Sequence, residues 1–304
     1  EARAGELISW RDATRQAWDD VARRARGEDV GELSTGSPNL DALVRLRRGE
    51  LVLVGARPAM GKSLWLGLTG LHLAREGRGG LIVSLEMAAE RWAWRQMIAV
   101  ANEGGDEVAV DAVKGGALTT AQMAALQAAA AEVSDLPLWC LDTPALHIDA
   151  LCAEAREAVE RRGAEWIGVD YLQLIRGEGY SREERLGEVA QRLKQLAREL
   201  DVPVIALAQL NRKLEDREDK RPQKADFRGS GKLEQAADVM AALHRPHVYD
   251  ASAPKDELDL VVLKNRNGGI GTAQLRFFGE QLRIVDADTR YDESFDHIDD
   301  GAWL

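Results

Sequence analysis

Beyond residue 50 the chain alternates between two rhythms. Short runs that are apolar at almost every position, 51–54, 81–85, 138–141, 166–169, 202–208, 239–243 and 258–263, are separated by longer stretches of helical period near 62–76, 88–102, 119–133, 147–162 and 183–200. A short, continuously apolar run is the pattern of a strand covered on both faces, and strands alternating with helices build parallel sheets. The repetition predicts an α/β fold with a mostly parallel central sheet. Two further runs, 272–278 and 282–285, follow a glycine-rich turn and are expected to extend the sheet antiparallel.

Ahead of this core, Ile8, Ala13, Ala17, Trp18, Val21, Ala22 and Ala25 recur at near-helical spacing among charged residues, which predicts an amphipathic helix over 8–26. Gly27 and Gly31 end it, and Ser34, Thr35, Gly36, Ser37 and Pro38 form a turn-rich connector. The apolar stripe of that helix must be covered, either by its own domain or by a neighbouring subunit. The expected organisation is a helix and connector over 1–32, one α/β domain over 33–285 and an acidic, disordered tail over 286–304. The tail's apolar tip, Trp303 and Leu304, also fits a docking peptide for a partner protein.

Composition narrows the class. The 304 residues are 45% hydrophobic and 30% charged, ordinary for one large globular domain or two small ones. No stretch approaches the roughly 20 uninterrupted apolar residues of a membrane helix, and the first residues carry no signal-peptide pattern. A cytoplasmic protein without a membrane partner is expected. Cys140 and Cys152 fit no metal or redox spacing and are expected to be reduced core thiols, and the histidines cluster only at His244 and His247. The net charge of −11 would disfavour nucleic acid if it were evenly spread. It is not: acids crowd the last residues, whereas Arg212, Lys213, Arg217, Lys220, Arg221, Lys224, Arg228 and Lys232 form a basic stretch.

The segment from Ala56 to Ser63, Ala-Arg-Pro-Ala-Met-Gly-Lys-Ser, lies between an apolar strand and a helical pattern, the context of a phosphate-binding loop. In such a loop the backbone around Ala59, Met60, Gly61, Lys62, Ser63 and Leu64 surrounds the phosphates of ATP, Lys62 reaches the β- and γ-phosphates, and the Ser63 hydroxyl ligates Mg²⁺. Ala56 stands where the strict pattern has glycine, which is tolerable if its φ is negative. Three other apolar runs end in polar residues. Asp170 fits a carboxylate in the Mg²⁺ shell and equally a loop cap. Glu86 fits a base that orients the attacking water better than it fits an ordinary helix-start acid, and Gln209 fits a sensor of the γ-phosphate. In a parallel sheet all these ends fall at one edge, where ligands bind.

These blocks resemble the C-terminal motor domain of the DnaB family of replicative helicases. The resemblance rests on Ala56–Ser63, Ser84–Met87, Asp170–Leu174, Ala208–Arg212, Asp226–Gly231 with Glu234, Gln235 and Asp238, and Lys264–Gly268 leading into Ile270–Thr272, in order over about 35–285. It implies a RecA-like P-loop NTPase fold preceded by a linker helix, and a homohexamer that encircles single-stranded DNA, hydrolyses ATP at subunit interfaces and moves 5′ to 3′ in DNA replication. Lys264 and Arg266 then act in trans, the arginine on the neighbour's γ-phosphate, while Arg228, Gly229 and Gly231 belong to the DNA-binding loop, with the loop 176–185 a second candidate for lining the channel. At position 229 the family commonly has an acid. A helicase loader and primase are the implied partners, although the family's primase-contacting N-terminal domain has no counterpart in this sequence. A RecA-like, DNA-stimulated ATPase that binds or remodels single strands without processive unwinding is the alternative, and a nucleotide-gated scaffold is a third.

Overall fold

The computed structural model describes residues 7–28, 30–105, 107–227 and 229–287. Helix α1 (Trp10–Ala25) stands first, and a single turn, α2 (Pro38–Asp41), leads toward the sheet. Strands β1 (Leu51–Ala56), β2 (Gly80–Ser84), β3 (Leu138–Asp142), β4 (Trp166–Asp170), β5 (Val204–Gln209) and β6 (Val239–His244) follow. Between them lie α3 (Lys62–Arg75), α4 (Ala89–Ala101), α5 (Val110–Gly115), α6 (Thr120–Asp135), α7 (Ile148–Arg162), α8 (Arg182–Leu200) and α9 (Ser230–Ala236). Strands β7 (Glu257–Asn265), β8 (Gly271–Phe278) and β9 (Arg283–Asp286) complete one nine-stranded sheet in the order β3-β2-β4-β5-β1-β6-β7-β8-β9.

The first six strands in that order are parallel, and β7, β8 and β9 are antiparallel. Antiparallel pairing therefore begins one strand earlier than the apolar runs implied. The link from β6 to β7 holds only a 3₁₀ turn at Pro246–Val248. Without a crossover helix the chain returns beside β6 in the opposite direction. Helices α5 and α9, of six and seven residues, are too short for periodicity to reveal.

Alternation along the strands explains why both sheet faces are dry. Leu51, Leu53, Ile167, Val169, Val204 and Ala206 join the cluster that includes Leu151 of α7 and Leu193 of α8. Their neighbours Val52, Val54, Trp166, Ile205 and Leu207 pack instead with Trp65, Leu66 and Leu73 of α3. Each fully buried side chain of this size contributes roughly 1.5–3 kcal/mol. A third cluster, built from Ile98, Val108 and Leu126 against Leu71, gathers α4 and α6 beside the sheet.

Helix α1 has no buried residue: Trp10, Trp18 and Val21 are exposed, as are Leu7 and Ile8 just ahead of it. Its own domain does not cover its apolar stripe, and Arg24 reaches Glu32 at 2.9 Å. Cys152 is buried as expected, but Cys140 is exposed because β3 is an edge strand. Among the described residues no helix is long and apolar enough to cross a membrane, and no group of three or more His, Cys, Asp or Glu side chains could hold a metal ion. The tail beyond residue 287 lies outside the described residues.

Candidate nucleotide-binding site

Strand β1 is buried along its whole length and delivers the chain to the loop at Ala56, which pairs with Gln209 of β5. Ala56 remains in strand conformation, so the position where the strict pattern has glycine needs none. The positive φ angles fall further on, at Ala59 (63°) and at Gly61 (92°), which caps α3. A left-handed conformation costs an alanine about 1–2 kcal/mol. At Gly61 a Cβ would also lie 2.8 Å from Cε2 of Phe277, so both backbone and space call for glycine.

The Met60 N–H donates back to the Arg57 carbonyl at 3.4 Å, and the residue is buried. Trp65 makes the first bond of α3, to the Gly61 carbonyl at 2.9 Å. The N–H groups of Lys62, Ser63 and Leu64 face the loop as the unpaired first turn of a helix, a ready anion site. Leu64 is itself buried, which anchors that turn. Arg57 ties the loop down from outside, donating to Glu215 at 2.8 Å and to the Leu210 carbonyl at 2.9 Å.

Strand register brings the polar ends together: Ser84 pairs with Asp170, and Ala56 with Gln209. Lys62 Nζ donates to Asp170 Oδ1 at 2.7 Å, lies 3.6 Å from Glu86 Oε2 and sits 4.2 Å from the Tyr171 ring centroid. The two acids differ in surroundings. The Asp170 side chain is 1% exposed and its Oδ2 is buried with no hydrogen-bond partner among the described residues, whereas Glu86 is 54% exposed. Gln209 is fixed by its backbone: its N–H donates to Gln173 Oε1 and its carbonyl accepts from Gln173 Nε2, both at 3.0 Å. Beyond it, Leu210 bridges antiparallel to Phe227, so the strand end bearing Gln209 is one step from the segment bearing Gly229.

Lys264 and Arg266 are not part of this constellation. Antiparallel β7 carries them to the opposite sheet edge, where Lys264 pairs with Met240 and the Arg266 N–H donates to the Asp238 carbonyl at 3.0 Å. Asp238 in turn accepts from the N–H of Leu51, the first residue of β1, at 2.8 Å. A six-residue strand spans about 17 Å, so neither cation reaches the phosphate loop of its own chain.

Of the candidate DNA residues, Arg228 lies outside the described residues, and Gly229 (φ 71°) caps α9, in which Gly231 is exposed. Part of the basic stretch is engaged within the chain, while Arg212 stays 82% exposed. Arg217 makes a paired contact with Asp226 at 3.0 Å, Arg221 reaches Asp259 at 3.0 Å, and Lys224 reaches Glu234 at 2.7 Å. These charges secure the segment's own fold, since Asp226 and Asp259 are buried.

Four residues near the loop were given no role by the sequence. Phe277 lies against Gly61, and the Arg245 guanidinium stands 4.0 Å above its ring. Arg95 of α4 belongs to no motif, yet burial pushes its guanidinium below the usual arginine range, opposed by Asp170 and Glu86. Tyr171 was visible only as the neighbour of Asp170; burial, then Glu86 and Asp170, raises its hydroxyl.

A parallel sheet with a phosphate loop after β1 and a buried carboxylate at the end of β4 defines a RecA-like domain of the phosphate-loop class. Residues 32–286 match the DnaB-like helicase C terminal domain, and the chain belongs to that family. It is 34% identical to the replicative DNA helicase DnaB of Geobacillus stearothermophilus over 96% of this chain and 64% of that protein. It is equally 34% identical to the replicative DNA helicase DnaC of Bacillus subtilis, over 93% of this chain and 63% of that one. The chain thus spans a little under two thirds of these relatives. Among solved structures, one ATPase domain superposes with a TM-score of 0.83 at 27% identity, covering 92% of this chain and 99% of that one. A DnaB-like replicative helicase, studied with its interactions with primase, gives 0.82 at 27% identity, covering 93% and 68%.

Proposed function

We propose that this chain is the ATP-hydrolysing motor of a replicative DNA helicase, a homohexameric ring that moves 5′ to 3′ on single-stranded DNA and unwinds duplex in the cytoplasm. The observation that carries this reading is the meeting of Lys62, Glu86 and Asp170 at one sheet edge, with Lys264 and Arg266 at the other. One chain then holds two halves of different active sites, as a closed ring of head-to-tail subunits requires.

The residues divide the chemistry by environment. The first-turn amides of α3 and the Lys62 ammonium bind the phosphates, Lys62 leaving Asp170 for the β- and γ-oxygens. Mg²⁺ fits the oxygens of Asp170 and Ser63: Asp170 Oδ2 is buried and unpartnered, and a single carboxylate with a hydroxyl is a usual protein contribution to a magnesium shell. When bound, the ion would neutralise charge developing on the phosphates. Glu86, open to solvent, orients and activates the attacking water. Arg266 from the adjacent subunit supplies a permanently charged, planar donor to the γ-phosphate, with Lys264 beside it. The Arg245–Phe277 pair offers a flat face beside the loop for the purine.

Gln209 passes the state of the γ-phosphate through the Leu210–Phe227 bridge to the loop of Arg228, Gly229 and Gly231, which grips DNA phosphates. Helix α1, uncovered by its own domain, docks on the neighbouring subunit as a linker, and a loader and primase act as partners of the whole ring. Strand displacement on a forked duplex, with ATP and Mg²⁺, tests the proposal. Displacement with DNA-stimulated hydrolysis supports it. Stimulated hydrolysis without displacement replaces it with the single-strand-remodelling ATPase, and no hydrolysis refutes both.

A further inference from the structure

Helix α9 ends without glycine. Its last turn runs Glu234, Gln235, Ala236, and Ala237 caps it in extended conformation with one N–H bond, to the Leu233 carbonyl. Helices that lack a left-handed glycine cap leave their final carbonyls to other donors. Here those donors are the two cations of β7. Lys264 Nζ donates to the Glu234 carbonyl and, at 2.6 Å, to that of Ala237; Arg266 donates to the Gln235 carbonyl at 2.7 Å. The negative end of the helix dipole favours positive charge at this place.

Behind the turn stands Asp238, 4% exposed. Its carboxylate receives Arg266 at 3.3 Å, Lys194 at 2.6 Å and the Leu51 N–H at 2.8 Å. The guanidinium is held on one side only, and the Arg266 side chain stays 47% exposed. At the other end, about 10 Å away along seven residues, α9 begins at Gly229, where an added Cβ would lie 3.5 Å from the Glu183 carbonyl. Leu233 is fully buried and Ala236 nearly so, and α9 packs along α8. It is a short strut with the candidate DNA loop at one end and the candidate trans-acting cations at the other.

We infer that the last turn of α9, backed by Asp238, is the seat that positions Lys264 and Arg266, and that α9 transmits DNA engagement to the neighbouring subunit's nucleotide. This rests on the proposed trans roles of the two cations and on the proposed DNA loop. The helix-end carbonyls and the neighbour's γ-phosphate compete for the same donors, so displacement of α9 by DNA alters how readily the cations leave. By reciprocity, withdrawing the cations alters DNA affinity by the same factor. Asp238 is a positioning residue: it reaches the reaction only through Arg266.

The test separates the strut from the chemistry. Glu234→Gly with Gln235→Gly loosens the last turn while keeping its carbonyls, and Glu234→Ala with Gln235→Ala keeps it helical. Both lose the Lys224 pair, so that loss cancels in the comparison. ATP hydrolysis is measured with and without single-stranded DNA for the unchanged protein and both variants. The alanine pair should retain the stimulation of the unchanged protein within twofold. The glycine pair should lose at least fivefold of it, read as the ratio of its own rates with and without DNA, so that any change in its DNA-free rate divides out. Equal stimulation in the two variants overturns the inference, as does equal loss in both. An unchanged protein that shows no stimulation at all refutes the underlying helicase reading instead.

If the glycine pair does not fold, hydrogen exchange on the unchanged protein decides. Adding single-stranded DNA should change exchange at 234–237 and 264–266. Changes confined to 227–231 overturn the inference.

Discussion

Replacing Lys62 with methionine removes the one donor that the described residues offer Asp170, and leaves a carboxylate buried at 1% side-chain exposure with neither oxygen hydrogen-bonded among those residues. Breaking a buried ion pair from one side costs about 3–5 kcal/mol. Lys62 is itself 14% exposed, which points to the lower end, about 3 kcal/mol. For a domain of this size each kcal/mol moves the midpoint by about 2–4 °C, so Lys62→Met should lower Tm by roughly 6–12 °C without nucleotide or magnesium. Adding Asp170→Asn neutralises the orphaned charge and should recover at least half of that loss, so the double variant melts above the single. Calorimetric melts of the four proteins form a closed cycle. A single variant within 2 °C of the unchanged protein, or a double variant melting lower still, would refute the claim that Asp170 depends on Lys62 when the phosphates are absent.

Two further expectations rest on local geometry. Ala59→Gly relieves a left-handed alanine worth about 1–2 kcal/mol against an unfolded-state entropy cost of about 0.4–1 kcal/mol, so it should raise Tm slightly; a fall of more than 2 °C would contradict the strain assigned there. His244 is buried and stacks on Tyr249 at 5.7 Å, and burial holds its imidazole below the usual value of 6.5. Since the unfolded chain takes the proton first, the stability His244 contributes is complete above about pH 6.5 and is lost as pH falls from there through the lower folded value. Melts from pH 8 to pH 5 should show a steeper acid loss for the unchanged protein than for His244→Phe, and parallel curves would count against it.

Much of the domain was legible because doubly buried strands are continuous apolar runs: each of the seven runs is a strand, and the loop from Ala56 to Ser63 follows β1. The convergence of Lys62, Glu86, Asp170 and Gln209 followed from parallel strands ending at one edge. What stayed hidden depended on contacts between distant residues. The direction of β7 is set by the missing crossover helix. The engagement of Arg217 and Arg221 by Asp226 and Asp259 joins residues up to 38 positions apart, and no local pattern announces it. Arg245 and Phe277 meet only because β6 and β8 flank β7. Ala59 could have been flagged as a position suited to glycine only from its φ angle.

The separation of Lys62 from Arg266 within one chain is tested most directly by mixing Lys62→Ala and Arg266→Ala proteins, each inactive alone. In a ring of head-to-tail subunits mixed at random in equal amounts, about a quarter of the interfaces join an intact Lys62 to an intact Arg266. Hydrolysis in the mixture should therefore recover to about a quarter of the unchanged rate if interfaces act independently. A mixture as inactive as its components would contradict an active site shared between subunits.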